Sequence, residues 1–111
     1  MPSFERWDVI AVPFPYVERD HVKHRPALVV SGRCWLEGHG LPWVLMITSA
    51  AHRPWPDDVP IDDLAMAGLP RPSVIRPAKI ATVEAAHCEP RGRLTAAVRR
   101  QVEAALLAGL R

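Results

Sequence analysis

Cysteine is scarce in this chain. Cys34 and Cys88 are the only two and stand far apart, which excludes a disulfide framework and a zinc site built on close Cys pairs. They read as free thiols, one of them buried. Long apolar runs are also missing: none approaches the roughly 20 residues that span a bilayer. The opening Met-Pro-Ser-Phe-Glu-Arg-Trp-Asp lacks the basic-then-apolar order of a secretory leader. A cytoplasmic protein without membrane attachment is therefore expected. Internal repeats, low-complexity tracts and linkers are absent, so one domain over residues 1–111 is expected. No helix-forming stretch carries His at i and i+4, and no metal or cofactor is expected. Neither sign of charge dominates. A formal net charge of +2 permits an anionic partner without demanding one.

Proline, by contrast, is abundant. Twelve prolines in 111 residues lie far above the usual frequency of about 5%. They cut the chain into short pieces and argue against a helical bundle. Strands are expected at 8–14, 26–31 and 43–48, with a short extended piece at 59–61 and two further strands at 73–76 and 79–83, separated at Pro77. The apolar runs Ala27-Leu28-Val29-Val30 and Val44-Leu45-Met46-Ile47 read as strands covered on both faces. Residues 32–42 read as a turn-rich connection, and residues 62–67 as one helical turn ended by Gly68. Thr95 is the expected N-cap of a terminal helix whose Val98, Val102, Ala105 and Leu106 share one face, with Gly109 placed to end it. Five short strands followed by a helix imply a small barrel or a strongly bent sheet.

Charge is concentrated rather than spread. Arg19, His21, Lys23, His24 and Arg25 crowd the segment before the second strand, against Glu18 and Asp20. Pro26 biases Arg25 towards extended backbone. A guanidinium that keeps its charge is thereby fixed where the loop meets the sheet, a good position for holding a phosphate. The residue types alone also allow Arg25 a surface ion pair with Glu18 or Asp20. They equally allow Thr48 the role of a strand former, and His21 and His24 that of solvated loop residues. Trp55, in Arg53-Pro54-Trp55-Pro56, suits either stacking on an unpaired base or anchoring its loop.

In order, Trp7-Asp8-Val9-Ile10-Ala11-Val12-Pro13-Phe14, Lys23-His24-Arg25-Pro26-Ala27-Leu28-Val29-Val30-Ser31, Met46-Ile47-Thr48-Ser49 and the hairpin Ser73-Val74-Ile75-Arg76 with Lys79-Ile80-Ala81-Thr82-Val83 resemble the MazF/PemK toxin endoribonucleases of bacterial toxin–antitoxin pairs. The resemblance runs from about residue 6 to about residue 108. It implies a mainly β fold with a C-terminal helix, an SH3-like barrel of the PemK/MazF/CcdB type working as a homodimer. It also implies metal-independent cleavage of single-stranded RNA and an antitoxin partner.

The resemblance gives Arg25 and Thr48 the catalytic places, with His24 beside them as a possible acid or base. It puts Arg76 and Lys79 in the hairpin that lines the RNA groove, and Lys23, His21, Asp20 and Trp55 complete the expected RNA contacts. The chain departs from the family pattern at Ala78, Lys79 and Ala81, where several members carry an acid, a Gln and an Arg. Two alternatives follow: an inactive RNA- or antitoxin-binding module of the same fold, or a CcdB-like gyrase poison.

Overall fold

The structure is a computed structural model that describes residues 4–15 and 22–111. Among the described residues, six strands form one antiparallel sheet: β1 Asp8–Pro15, β2 Val22–Val29, β3 Trp43–Ser49, β4 Val59–Pro60, β5 Ser73–Thr82 and β6 Glu89–Arg93. Across the sheet they run β4-β5-β3-β2-β1-β6. The helices that accompany them among the described residues are α1 Arg33–His39, α2 Leu64–Ala67 and α3 Ala96–Gly109, with a 3-10 turn at Ala85–His87. Among the described residues, no helix is long and apolar enough to cross a membrane.

The centre of the sheet, where β1, β2 and β3 pair, is buried on both faces, which is why these strands carry continuous apolar runs. Successive side chains alternate between two cores. Val9, Leu28, Leu45 and Ile47 join Ala67 of α2 and Val98 and Val102 of α3 in one cluster. Ile10, Val12, Ala27, Val29 and Val44 join Phe4, Ala85 and Cys88 in the other. Of the two free thiols, Cys88 is buried and Cys34 exposed. Burial raises the Cys88 pKa, and its Sγ donates to the carbonyl of Glu84 at 3.3 Å. Thr95 caps α3 as expected, its Oγ1 accepting from the Val98 N–H.

Four local expectations need correction. The connection over residues 32–42 contains α1, which buries none of its residues and so leaves no apolar stripe to read. The strand β6, Glu-Pro-Arg-Gly-Arg, has little strand propensity and forms because β1 pairs with it. Pro77 does not divide two strands. β5 is continuous, and a register shift between its partners Leu45 and Met46 leaves Pro77, Ala78 and Lys79 outside the ladder with β3. Gly109 lies inside α3, and Leu110 is the C-cap.

Candidate active site

The sheet forks between β2 and β3. β2 pairs with β1 from Val22↔Pro15 to Leu28↔Val9, but it pairs with β3 only from Ala27↔Met46 to Val29↔Val44. Beyond that point β3 continues against β5 alone, as far as Ser49↔Ser73. Pro26 stands at the branch, and a proline has no N–H to continue a ladder. Extending the broken register would set Arg25 opposite Thr48. A cavity of about 350 Å3 occupies this region, and its wall includes Lys23, His24, Arg25 and Pro26 from β2 and Ile47, Thr48 and Ser49 from β3. The fork thus makes a cleft out of what would otherwise be closed sheet. Arg25 does not sit at a loop–strand junction as expected. It lies within β2, paired with Val12, because Val22, Lys23 and His24 also join the β1 ladder.

A tight turn follows Thr48. The Ser49 carbonyl accepts from the His52 N–H at 3.1 Å, and Ser49 Oγ accepts from the Ala51 N–H at 3.2 Å. This Ser-initiated turn folds His52 back, so that its Nδ1 lies 2.7 Å from Thr48 Oγ1. Both side chains line the cavity. His52 carried no role in the sequence reading. Its only sequence signal is a Ser-started turn placing a histidine four residues after the threonine.

Arg71 and Arg91 complete the cationic wall. Arg91 reaches it through a bulge: Val9 pairs with Gly92 and Ile10 with Pro90, so Arg91 has no partner on β1. Bulges re-aim side chains in this way. The bulge is held against α2 by two glycines. A Cβ on Gly68, whose φ is +72, would lie 2.2 Å from the Arg91 carbonyl oxygen, and one on Gly92 would lie 2.3 Å from that of Met66. Only hydrogen fits at either position.

Arg76, Trp55 and Lys79 do not line the cavity. Arg76 was expected among the RNA contacts, but it is 7% exposed and committed to the fold. Its Nε and Nη2 donate to the two carboxylate oxygens of Asp58, each at 3.1 Å, and Nη2 also donates to the Arg53 carbonyl. Trp55 lies against it, its ring 4.3 Å from the guanidinium and 5.8 Å from the Lys79 ammonium. Burial raises the Asp58 pKa. The Arg76 hydrogen bonds, the Trp55 N–H and the Arg76 charge outweigh burial and hold it below the ordinary aspartate value. This cluster pins residues 53–58 onto β5, directly after the turn that carries His52. Trp55 is thus engaged as a loop anchor, with 39% of its surface exposed. Asp20 and His21 lie outside the described residues.

The wall chemistry favours an anion. Lys23, Arg25, Arg71 and Arg91 line it, and no Asp or Glu does so among the described residues. A half-buried guanidinium, a hydroxyl and an imidazole meet in one cleft, the components needed to bind a phosphodiester and move a proton beside it.

The chain matches the family model for the PemK-like, MazF-like toxin of type II toxin–antitoxin systems over residues 5–110. No curated protein sequence matches it. Solved structures resemble its fold closely. The MazE–MazF complex from Deinococcus radiodurans is 21% identical with a TM-score of 0.75, over 96% of this chain and 93% of that one. An endoribonuclease from a mycobacterial species, solved with its cognate antitoxin, is 18% identical with a TM-score of 0.77, over 97% and 95%. The Mycobacterium tuberculosis toxin MazF-mt6 is 21% identical with a TM-score of 0.72, over 93% and 95%. At such identities these likenesses establish the half-barrel fold with its C-terminal helix.

Proposed function

The chain belongs to the family of PemK-like, MazF-like toxins of type II toxin–antitoxin systems, and from that premise we propose that it is an endoribonuclease acting on single-stranded RNA without a metal ion. The observation that carries this reading is the shared cleft of Arg25 and Thr48 at the β2–β3 fork. The nucleophile is the substrate's own 2′-hydroxyl. Its oxygen bonds to phosphorus, the bond to the 5′-oxygen breaks, and the products are a 2′,3′-cyclic phosphate and a 5′-hydroxyl. Negative charge grows on the non-bridging oxygens during attack. A positioned guanidinium stabilises that state more than the ground state. Thr48 supplies a donor and acceptor beside the reacting hydroxyl. Lys23, His24, Arg71 and Arg91 hold flanking phosphates, a contact that positions RNA without reading its sequence. The same cationic wall suits an acidic antitoxin segment that blocks the cleft.

The alternative of an inactive binding module rested on Ala78, Lys79 and Ala81. These residues lie outside the cavity wall. Ala78 and Lys79 fall in the β5 bulge, and Ala81 packs on the second core. The departures therefore leave the Arg25–Thr48 pair untouched, which favours the nuclease. We further read the protein as a single-domain cytoplasmic homodimer. The exposed Trp35, Leu41, Trp43 and Ile80 offer apolar surface that association covers.

The test is incubation of purified protein with mixed-sequence single-stranded RNA in EDTA, alongside Arg25→Ala. The wild type is expected to cut, and the variant to lose activity by about 10²-fold or more. Equal cleavage by the two would remove Arg25 from the reaction.

A further inference from the structure

A cyclising ribonuclease must take a proton from the 2′-hydroxyl, and the described part of the cleft offers few places to put it. Asp and Glu are absent from its described wall. The arginines keep their protons at every working pH. His24 and His52 remain, the two wall residues whose imidazole rings carry a nitrogen lone pair that can take a proton. Of the two, His52 is the one bonded to Thr48, at 2.7 Å between Nδ1 and Oγ1.

Resting on the nuclease reading above, we propose that His52 is the proton acceptor of this site and works through Thr48. A threonine hydroxyl has one hydrogen and two lone pairs. With Nδ1 unprotonated, Thr48 spends its hydrogen on His52 and turns its lone pairs to the cavity. The 2′-hydroxyl of the bound nucleotide then gives its proton to Thr48 Oγ1 as the hydroxyl proton of Thr48 passes to Nδ1. The 2′-oxygen forms its bond to phosphorus, and the P–O5′ bond breaks. The departing 5′-oxygen takes a proton from solvent, and the imidazolium returns one, so the net change is cleavage of the strand with no proton gained or lost. Arg25 balances charge on the phosphate while this happens.

The fold invests in this geometry. Two hydrogen bonds from the Ser49 turn return His52 to Thr48. The segment that follows is locked by the Arg76–Asp58 pair. The other charged or titratable groups on the described wall are Lys23, His24 and Arg25 from β2, Arg71 from the loop before β5, and Arg91 from β6. His24 is the only other imidazole among them, so it is the necessary control. His52 acts through Thr48 and is therefore a positioning residue, distinguished from a merely structural one by the pH profile.

Cleavage of one oligoribonucleotide is followed across pH for the wild type, Arg25→Ala, His52→Gln, His24→Gln, Thr48→Ala and the Thr48→Ala/His52→Gln pair. His52 is exposed, and a melting curve for each variant checks folding. His52→Gln is expected to lower kcat by about 10²-fold with little change in KM, and to abolish the acid limb of the kcat profile, whereas His24→Gln keeps that limb. The double variant is expected to be no slower than Thr48→Ala, because the two residues act as one unit. Survival of the acid limb in His52→Gln, with Arg25→Ala inactive, overturns the His52 assignment and leaves the nuclease reading standing. Loss of the limb in His24→Gln instead moves the acceptor to His24 and also overturns it. Absence of cleavage by the wild type overturns both readings together.

Discussion

Arg25 holds a planar guanidinium in a half-buried strand position, and two parallel N–H groups suit two phosphate oxygens. Lysine keeps the charge and loses the fork. Arg25→Lys is therefore expected to retain RNA binding while slowing single-turnover cleavage by about 10²-fold. Near-wild-type cleavage would mean that charge alone suffices. Asp58 makes a second prediction at this scale. Its carboxylate is buried against Arg76, and removing its charge leaves that guanidinium uncompensated. Asp58→Asn should destabilise the fold by about 3–5 kcal/mol, read from denaturant unfolding. Because the folded-state pKa lies below the ordinary one, the stabilisation from Asp58 is complete above the usual aspartate range of about 4. It fades as pH falls through the lower folded value. The variant should lose part of the wild type's acid sensitivity below that range. Arg25 stood out in the sequence by its place before an apolar strand run, whereas Thr48 was singled out by the resemblance to the toxin family. The sequence hid Arg76, whose burial depends on Asp58 and Trp55 arriving from another loop. His52 was hidden too, because a turn rather than a periodic pattern brings it to Thr48.

Strands and helices were readable where burial marks the sequence, as a continuous apolar run in a strand covered on both faces or as a 3.6-residue period in a helix. β1, β3 and α3 follow that rule, and Thr95 announced its helix through a side chain that caps it. Replacing Thr95 with Ala should cost about 1 kcal/mol, with more if the bond from its hydroxyl to Asp62, at 2.9 Å, adds to the cap. Elements held by backbone pairing alone were not readable. β6 has no apolar alternation, and the fork at Pro26 is a property of two registers rather than one segment. The contact between α2 and β6 is likewise a backbone contact. Gly92→Ala would drive a methyl group against Met66 and Ala67. It should cost about 1–3 kcal/mol as an overpacking change. It should also weaken RNA binding by displacing Arg91. Wild-type melting and binding for that variant would show that the bulge does not aim Arg91.

At the scale of the molecule, the described residues form one antiparallel sheet with a core on each face and a cleft where two strands part. That arrangement puts cations from β2, β6 and the loop before β5 around a single cavity, although no two of those segments are adjacent in sequence. Exposed Trp35, Leu41, Trp43 and Ile80 lie outside that cavity. Association of two copies is expected to cover apolar surface of this kind, and light scattering at micromolar concentration should return about twice the 12.3 kDa chain mass. A stable monomer would remove the dimer from the account. Fold class was legible at this scale because proline spacing and double-faced strands leave few architectures.

The proposed reaction needs two side chains from parted strands, Arg25 and Thr48, acting on one phosphodiester whose own 2′-hydroxyl is the nucleophile. The most direct measurement uses two oligonucleotides in EDTA, all-ribose or with a single deoxyribose immediately 5′ of the cleaved phosphate. The all-ribose strand should yield a 2′,3′-cyclic phosphate and a 5′-hydroxyl, and the deoxy-containing strand should stay intact at that bond. Cleavage of the deoxy-containing strand there, or products bearing a 5′-phosphate, would contradict the account.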